Sequence, residues 1–294
     1  MNKTIKMYTP KKTLEKLQII IILFCLFFIL CFIFSKEIET IITFPGIFKE
    51  KISYKSNILN PEIIQITDKK GNNIQGIYVD KKAEKTVYYF HGNKESLPYF
   101  YKDIDFIANL GFNVMAFDYQ GYGASEGFPY EEAILQASDK FYRFLKVRKD
   151  FEEKNVIIWG YGIGASIAVN FTYHHQDVDR MILIAPPASH YDMSVFLFGI
   201  PIQNILNQKN SFITFEKVQD FSFPIYILHG TADTAIPFNQ GKKVFKNIGK
   251  NLDFDTKKYF FPIKNVDHLS ILKEIREKYK SPIHVFLEAG FTKK

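Results

Sequence analysis

The sequence predicts an α/β fold, a mostly parallel twisted sheet with helices on both faces. Three observations carry that expectation. Short apolar runs rich in β-formers recur between residues 86 and 262, amphipathic helical patterns separate them, and turn residues follow each run. In chain order the strands read as Thr86–Phe90, Phe112–Asp118, Asn155–Trp159, Arg180–Ile184, Phe223–Leu228 and Lys258–Pro262. The helical patterns fall at 97–110, 131–148, 163–175, 239–249 and 267–280. Ile63–Thr67 and Ile74–Val79 flank the turn Lys70-Gly71-Asn72-Asn73 and read as an antiparallel hairpin leading into the sheet.

The N-terminus has a different character. Residues 17–34, LQIIIILFCLFFILCFIF, are apolar except for Gln18, which is long enough for a bilayer-spanning helix. Lys3, Lys6, Lys11, Lys12 and Lys16 precede this run against Glu15 alone, so the positive-inside rule puts the N-terminus in the cytoplasm and the folded domain on the far side. No small-residue cleavage site follows, which favours an uncleaved anchor over a signal peptide. The organisation expected is a basic tail at 1–16, a transmembrane anchor at 17–35, a linker at 36–59 and one α/β domain at 60–294.

Both cysteines, Cys25 and Cys31, lie in the apolar run, and bulky residues just before them argue against lipid attachment. The domain therefore has neither a disulfide nor a thiol nucleophile. The formal net charge is +7, of which the first sixteen residues carry +4. The remainder is only mildly basic, so no nucleic-acid footprint is expected. Thirty Phe and seventeen Tyr accompany many Ile, Lys and Asn, a bias that reflects AT-rich coding rather than function.

The string NVIIWGYGIGASIAVN at 155–170 is the most informative part of the chain. A strand runs into Gly160-Tyr161-Gly162-Ile163-Gly164, and a small-residue helix follows. Strand, tight glycine turn and helix form the setting of the G-x-S-x-G nucleophile elbow, but the central position is Gly162. Gly160, Gly162 and Ala165 also satisfy a dinucleotide-binding fingerprint. That reading needs an acidic residue at the end of the next strand, which instead ends in Ala185-Pro186-Pro187, with Asp177 and Asp179 at its wrong end. No cofactor is expected.

Four further motifs follow strands in order: FHGN at 90–93, DYQGYGASEG at 118–127, HGTADTAIP at 229–237 and NVDH at 265–268. Together with the elbow they resemble the α/β-hydrolase superfamily over residues 60–290, and most closely its membrane-tethered serine hydrolases. The resemblance implies the α/β-hydrolase fold, with Asp233 as the acid, His268 as the base, and the backbone N–H groups of Asn93 and Ile163 as an oxyanion hole. Two departures stand out: Gly162 where the nucleophilic serine belongs, and Ala165 at the second elbow glycine. Gly162 keeps the strained turn without cost but supplies no oxygen.

The expected function is that of a membrane-anchored protein of serine-hydrolase ancestry, inactive or very weak, retained to bind a ligand or partner. Hydrolysis of esters, thioesters or amides, on an acyl or lipid substrate, is kept by forms with Ser at 162 and by two alternatives within this sequence. Ser166, in the G-x-S-x-A string 164–168, is an alternative nucleophile, although it sits one helical turn past the elbow. A water in the space of the missing side chain, activated by His268, is the other. Tyr161 is expected to point away from the site, and Asp267 to be a first-turn acid suited to the helix dipole. His91 and Ser125 read as turn residues, and the other histidines show no metal-ligand spacing. The apolar segment 187–222 reads either as a lid over an acyl or lipid pocket or as helices packed on the core.

Overall fold

The computed structural model describes residues 10–48, 60–149, 151–200 and 211–289. Within them one sheet contains β1 (Glu62–Thr67), β2 (Asn73–Val79), β3 (Thr86–Phe90), β4 (Asn113–Phe117), β5 (Val156–Tyr161), β6 (Arg180–Ile184), β7 (Ile225–Gly230) and β8 (Lys258–Ile263). Their spatial order is β1-β2-β4-β3-β5-β6-β7-β8. β1 pairs antiparallel with β2, and β2 with β4, while every later pair is parallel. The first hairpin closes through Asp68, whose carboxylate accepts from the amides of Lys70 and Asn72.

The helices are α1 (Pro10–Ile33), α2 (Ser35–Thr43), α3 (Leu97–Ala108), α4 (Glu131–Lys146), α5 (Ile163–Tyr173), α6 (His190–Phe198), α7 (Thr214–Lys217), α8 (Phe238–Asn247), α9 (Ile271–Lys278) and α10 (Lys280–Glu288). Alternation along β3 shows how they divide, because successive side chains of a strand point to opposite faces. Tyr88 and Phe90 join Phe141 of α4, Phe171 of α5 and Val244 of α8 in one buried cluster. Val87 and Tyr89 join Ile104 of α3, Ile275 of α9 and Leu287 of α10 in the other.

The C-terminal end departs from expectation. The helix expected at 267–280 is shorter: Asp267 caps a turn by accepting from the amides of Leu269 and Ser270, and α9 begins at Ile271. Tyr279, at φ −114° and ψ 19°, ends α9, and α10 follows. Arg180 explains why α10 docks. Its guanidinium is fully buried, pairs with Asp179, and donates to the carbonyls of Phe286 and Ala289.

The segment before the sheet also differs from expectation. Where a linker was expected at 36–59, residues 35–43 form α2 and residues 45–48 a single 3₁₀ turn, and residues 49–59 lie outside the described residues. Phe44 is the cause. Its side chain is fully buried, edge-on to Tyr122 and Phe212 with ring centroids 6.5 and 6.1 Å apart, so the segment packs onto the domain. Among the described residues no helix is long and apolar enough to cross a membrane. The apolar run 17–34 lies within α1, where Phe28, Cys31 and Phe32 have side chains outside the described residues.

One buried acid gives the fold a pH dependence. Asp118 follows β4 and ties down the start of α3 by accepting from the Leu97 amide at 2.7 Å. Burial pushes its carboxyl up to about 8, against that hydrogen bond. The folded chain therefore holds a proton there that the unfolded chain has lost by about pH 5. The stability that this group contributes therefore falls as pH rises from about 4 towards 8. An Asp118→Asn variant is expected to flatten that slope in denaturant midpoints measured from pH 5 to 8.

Candidate active site

The parallel strands deliver their C-terminal ends to one edge of the sheet, where open α/β sheets place ligands. β3 leads into His91-Gly92-Asn93, β5 into Gly162, β7 into the loop carrying Asp233, and β8 into the loop carrying His268. The expected residues are thus brought to one place by topology.

Gly162 sits between β5 and α5 at φ 56°, ψ −124°, a conformation that side-chain-bearing residues rarely adopt. The neighbouring glycines have steric reasons. A Cβ on Gly164 would overlap the carbonyl oxygens of Phe90 and His91. One on Gly160 would lie 2.5 Å from the Ala165 Cα and 2.7 Å from the Gly164 carbonyl oxygen, so only glycine fits at 160. These close approaches pin the start of α5 against β3 and β5.

A Cβ built on Gly162 would meet His268 Nε2 at 3.3 Å and Cε1 at 3.5 Å. The other face of that imidazole is fixed: Nδ1 lies 2.7 Å from Asp233 Oδ2. Asp233 Oδ1 in turn accepts from the amides of Ala235 and Ile236. Burial of Asp233 would raise its carboxyl, yet the His229 ring beside it and hydrogen bonds from His268 and the Ile236 amide hold it well below the usual carboxylate range. An ionised Asp233 keeps the Nδ1–H tautomer of His268, leaving Nε2 facing the elbow as an acceptor.

The backbone N–H of Ile163 is the first of α5, so it has no acceptor within the helix. Asn93 stands across from it, and both residues line a cavity of about 870 Å³ that also contacts His268. Its walls are largely apolar, including Met193, Leu197 and Phe198 of α6 and Ile236. The 187–222 segment is divided in role. α6 covers the cavity, whereas Phe212, Val218 and Phe221 are buried in the core, and residues 201–210 lie outside the described residues.

Ser166 is not brought to the imidazole. Its hydroxyl is fully buried, accepts from Thr214 Oγ1 at 2.7 Å and points to the Pro187 carbonyl at 3.5 Å, and it is absent from the cavity wall. His91 is buried between the Phe100 and Tyr119 rings, and burial pushes its imidazole down to about 3, so it stays neutral. Ser125 bonds the Asp118 carbonyl and the Gln75 amide within its turn.

Two site residues escaped the sequence reading. Tyr161, expected to point away, stacks on His268 with ring centroids 4.9 Å apart and donates its hydroxyl to the His268 carbonyl at 2.8 Å. The strand alternation before the elbow was the available signal, since Tyr161 shares a face with Trp159 and Val266. His229, which matched no catalytic slot, is fully buried, donates Nε2–H to the Ile236 carbonyl at 2.9 Å, and lies 3.6 Å from Asp233 Oδ2.

The fold that carries these residues is shared with known proteins. The model of the serine aminopeptidase S33 family matches residues 81–210. The chain belongs to the α/β-hydrolase superfamily. Among relatives within this superfamily, the lysophosphatidylserine lipase ABHD12 of Danio rerio is 28% identical over 186 residues, covering 56% of this chain and 47% of that protein. The human alpha/beta hydrolase domain-containing protein 17B is 29% identical over 182 residues, covering 60% of each. The matches thus span about half to three fifths of those relatives. A Pyrococcus furiosus esterase superposes with a TM-score of 0.66 at 17% identity, covering 81% of this chain and 95% of that one, a likeness of α/β-hydrolase fold alone.

Proposed function

We propose that this chain is a membrane-attached α/β-hydrolase that no longer forms an acyl-enzyme and instead holds an acyl or lipid ligand in the cavity under α6. One observation carries the reading. The imidazole–carboxylate pair is assembled and faces, at side-chain distance, a residue with no side chain: 3.3 Å from His268 Nε2 to a Cβ position on Gly162, with Asp233 2.7 Å behind. Loss of the serine from such a triad removes about 10⁶-fold of turnover, while the oxyanion donors and the pocket keep their capacity to bind. The largely apolar lining of the cavity suits a hydrocarbon chain, and one relative is named a lysophosphatidylserine lipase.

Attachment is proposed through residues 17–35, with the N-terminus cytoplasmic and the domain on the far side. The lysines before the apolar run support that orientation. Ile19 to Phe24 of α1 present apolar side chains more than half exposed, a surface suited to hydrocarbon and not to water.

A second reading keeps slow hydrolysis, with His268 Nε2 activating a water in the space a serine would fill. Turnover of p-nitrophenyl acetate and octanoate by the native chain and its His268→Ala variant separates the two. The binding reading expects both proteins to match the buffer rate. A native rate that depends on His268 would establish the water mechanism and overturn it.

A further inference from the structure

The residues that precede the sheet contribute to the cavity more than their place outside the family-matched region suggests. Glu39, Ile42 and Thr43 of α2 form one of its walls. Glu39 is nearly fully buried, and its carboxylate lies 3.4 Å from His190 Nδ1, while the other ring nitrogen of His190 meets Thr43 Oγ1 at 3.2 Å. His190 opens α6, so these contacts join α2 to the helix covering the cavity.

The same segment grips the Asn93 turn. Asn93 Nδ2 donates to the Thr43 carbonyl at 3.1 Å, and the Asn93 carbonyl accepts from the Gly46 amide at 3.0 Å and from the Tyr122 hydroxyl at 2.8 Å. Both the side chain and the carbonyl of Asn93 are therefore held from one side. The carbonyl lies in the peptide plane after the Asn93 Cα and the N–H in the plane before it, so holding both carbonyl and side chain restrains the Cα from which that N–H is placed. Phe44 supplies the apolar anchor between these two polar contacts. At Gly46 any Cβ would overlap the Tyr122 ring and come within 2.8 Å of the Asn93 carbonyl oxygen, so only glycine allows the approach.

We propose that residues 35–48 complete the ligand site: they position the Asn93 turn, and with it the N–H aimed at a bound carbonyl, and they hold α6 over the cavity through His190. The assignment of Asn93 as a carbonyl-binding donor rests on the proposed function; the docking of the segment does not. The domain beginning at β1 would then fold around an incomplete site, and because α2 follows α1 directly, the site is tied to whatever surface α1 occupies.

Two measurements on the full-length chain in detergent micelles test this. In the native chain, amide hydrogen exchange over residues 43–48 is expected to be slowed at least about tenfold relative to the free peptide. Phe44→Ala and Gly46→Ala should abolish that protection and leave β3 and β5 protected. A native segment exchanging at the free-peptide rate overturns the proposal. In a Gly162→Ser parent, the same two variants should lower kcat for p-nitrophenyl butyrate by about ten- to a hundredfold, the range set by misplacing one oxyanion donor, with KM nearly unchanged. Phe44→Leu should restore most of it. Unchanged kcat in an active parent also overturns the proposal. An inactive parent would count against the proposed function instead, and the exchange result would then decide the docking alone.

Discussion

A Gly162→Ser substitution is expected to turn this protein into an esterase. The new hydroxyl would extend from a Cβ 3.3 Å from His268 Nε2, so the imidazole must yield by only a few tenths of an ångström to accept its proton. Asp233 already holds the imidazole from behind, and Tyr161 stacks on its face. Nothing else has to be built. The gain in kcat for a p-nitrophenyl ester should approach the roughly 10⁶-fold that removing a triad serine costs. The fold should lose about 1–3 kcal/mol, because serine at φ 56°, ψ −124° carries a strain that glycine avoids. Steady-state kinetics and denaturant midpoints read both effects, and adding His268→Ala should return the rate to that of the native chain. An active double variant would remove His268 from the role assigned to it.

Gly164→Ala should have the largest effect on stability. The added methyl would be driven into the Phe90 and His91 carbonyl oxygens, which are backbone atoms of β3 and its following turn and cannot rotate aside. Relief requires α5 to withdraw from the sheet, opening a gap beside Ala165, Ala168 and Phe90, all fully buried. Overpacking of this kind against backbone is expected to cost more than about 3 kcal/mol. The measurement is the midpoint of urea unfolding, compared with Gly71→Ala, where a Cβ meets open space and only the positive φ of 86° is penalised. Equal losses in the two variants would mean that backbone conformation, not the helix–strand approach, sets the requirement at 164.

Much of the fold was legible because β3 to β7 are short apolar runs buried on both sides, and such runs announce themselves without a partner. β3 was readable to the residue as Thr86–Phe90, and β6 as Arg180–Ile184. The site was legible for a related reason: its residues follow strand ends, where motif and topology coincide. What could not be read depended on distant contacts. α2 carries no strong pattern of its own; Phe44 docks it by finding Tyr122 and Phe212, which lie 78 and 168 residues away along the chain. α10 is held by Arg180, a residue on the far side of the sequence. The Tyr161 hydroxyl reaches a carbonyl 107 residues away, at His268, and His229 steadies the loop after Asp233 by bonding the Ile236 carbonyl.

The proposed function requires a site that lacks one oxygen and is otherwise complete. The most direct test is intact mass after treatment of the native and Gly162→Ser chains with a fluorophosphonate. No adduct is expected on the native protein, and one stoichiometric adduct, mapped to position 162, on the variant. An adduct on the native chain, at Ser166 or at a residue of the cavity, or none on a folded variant, would contradict it.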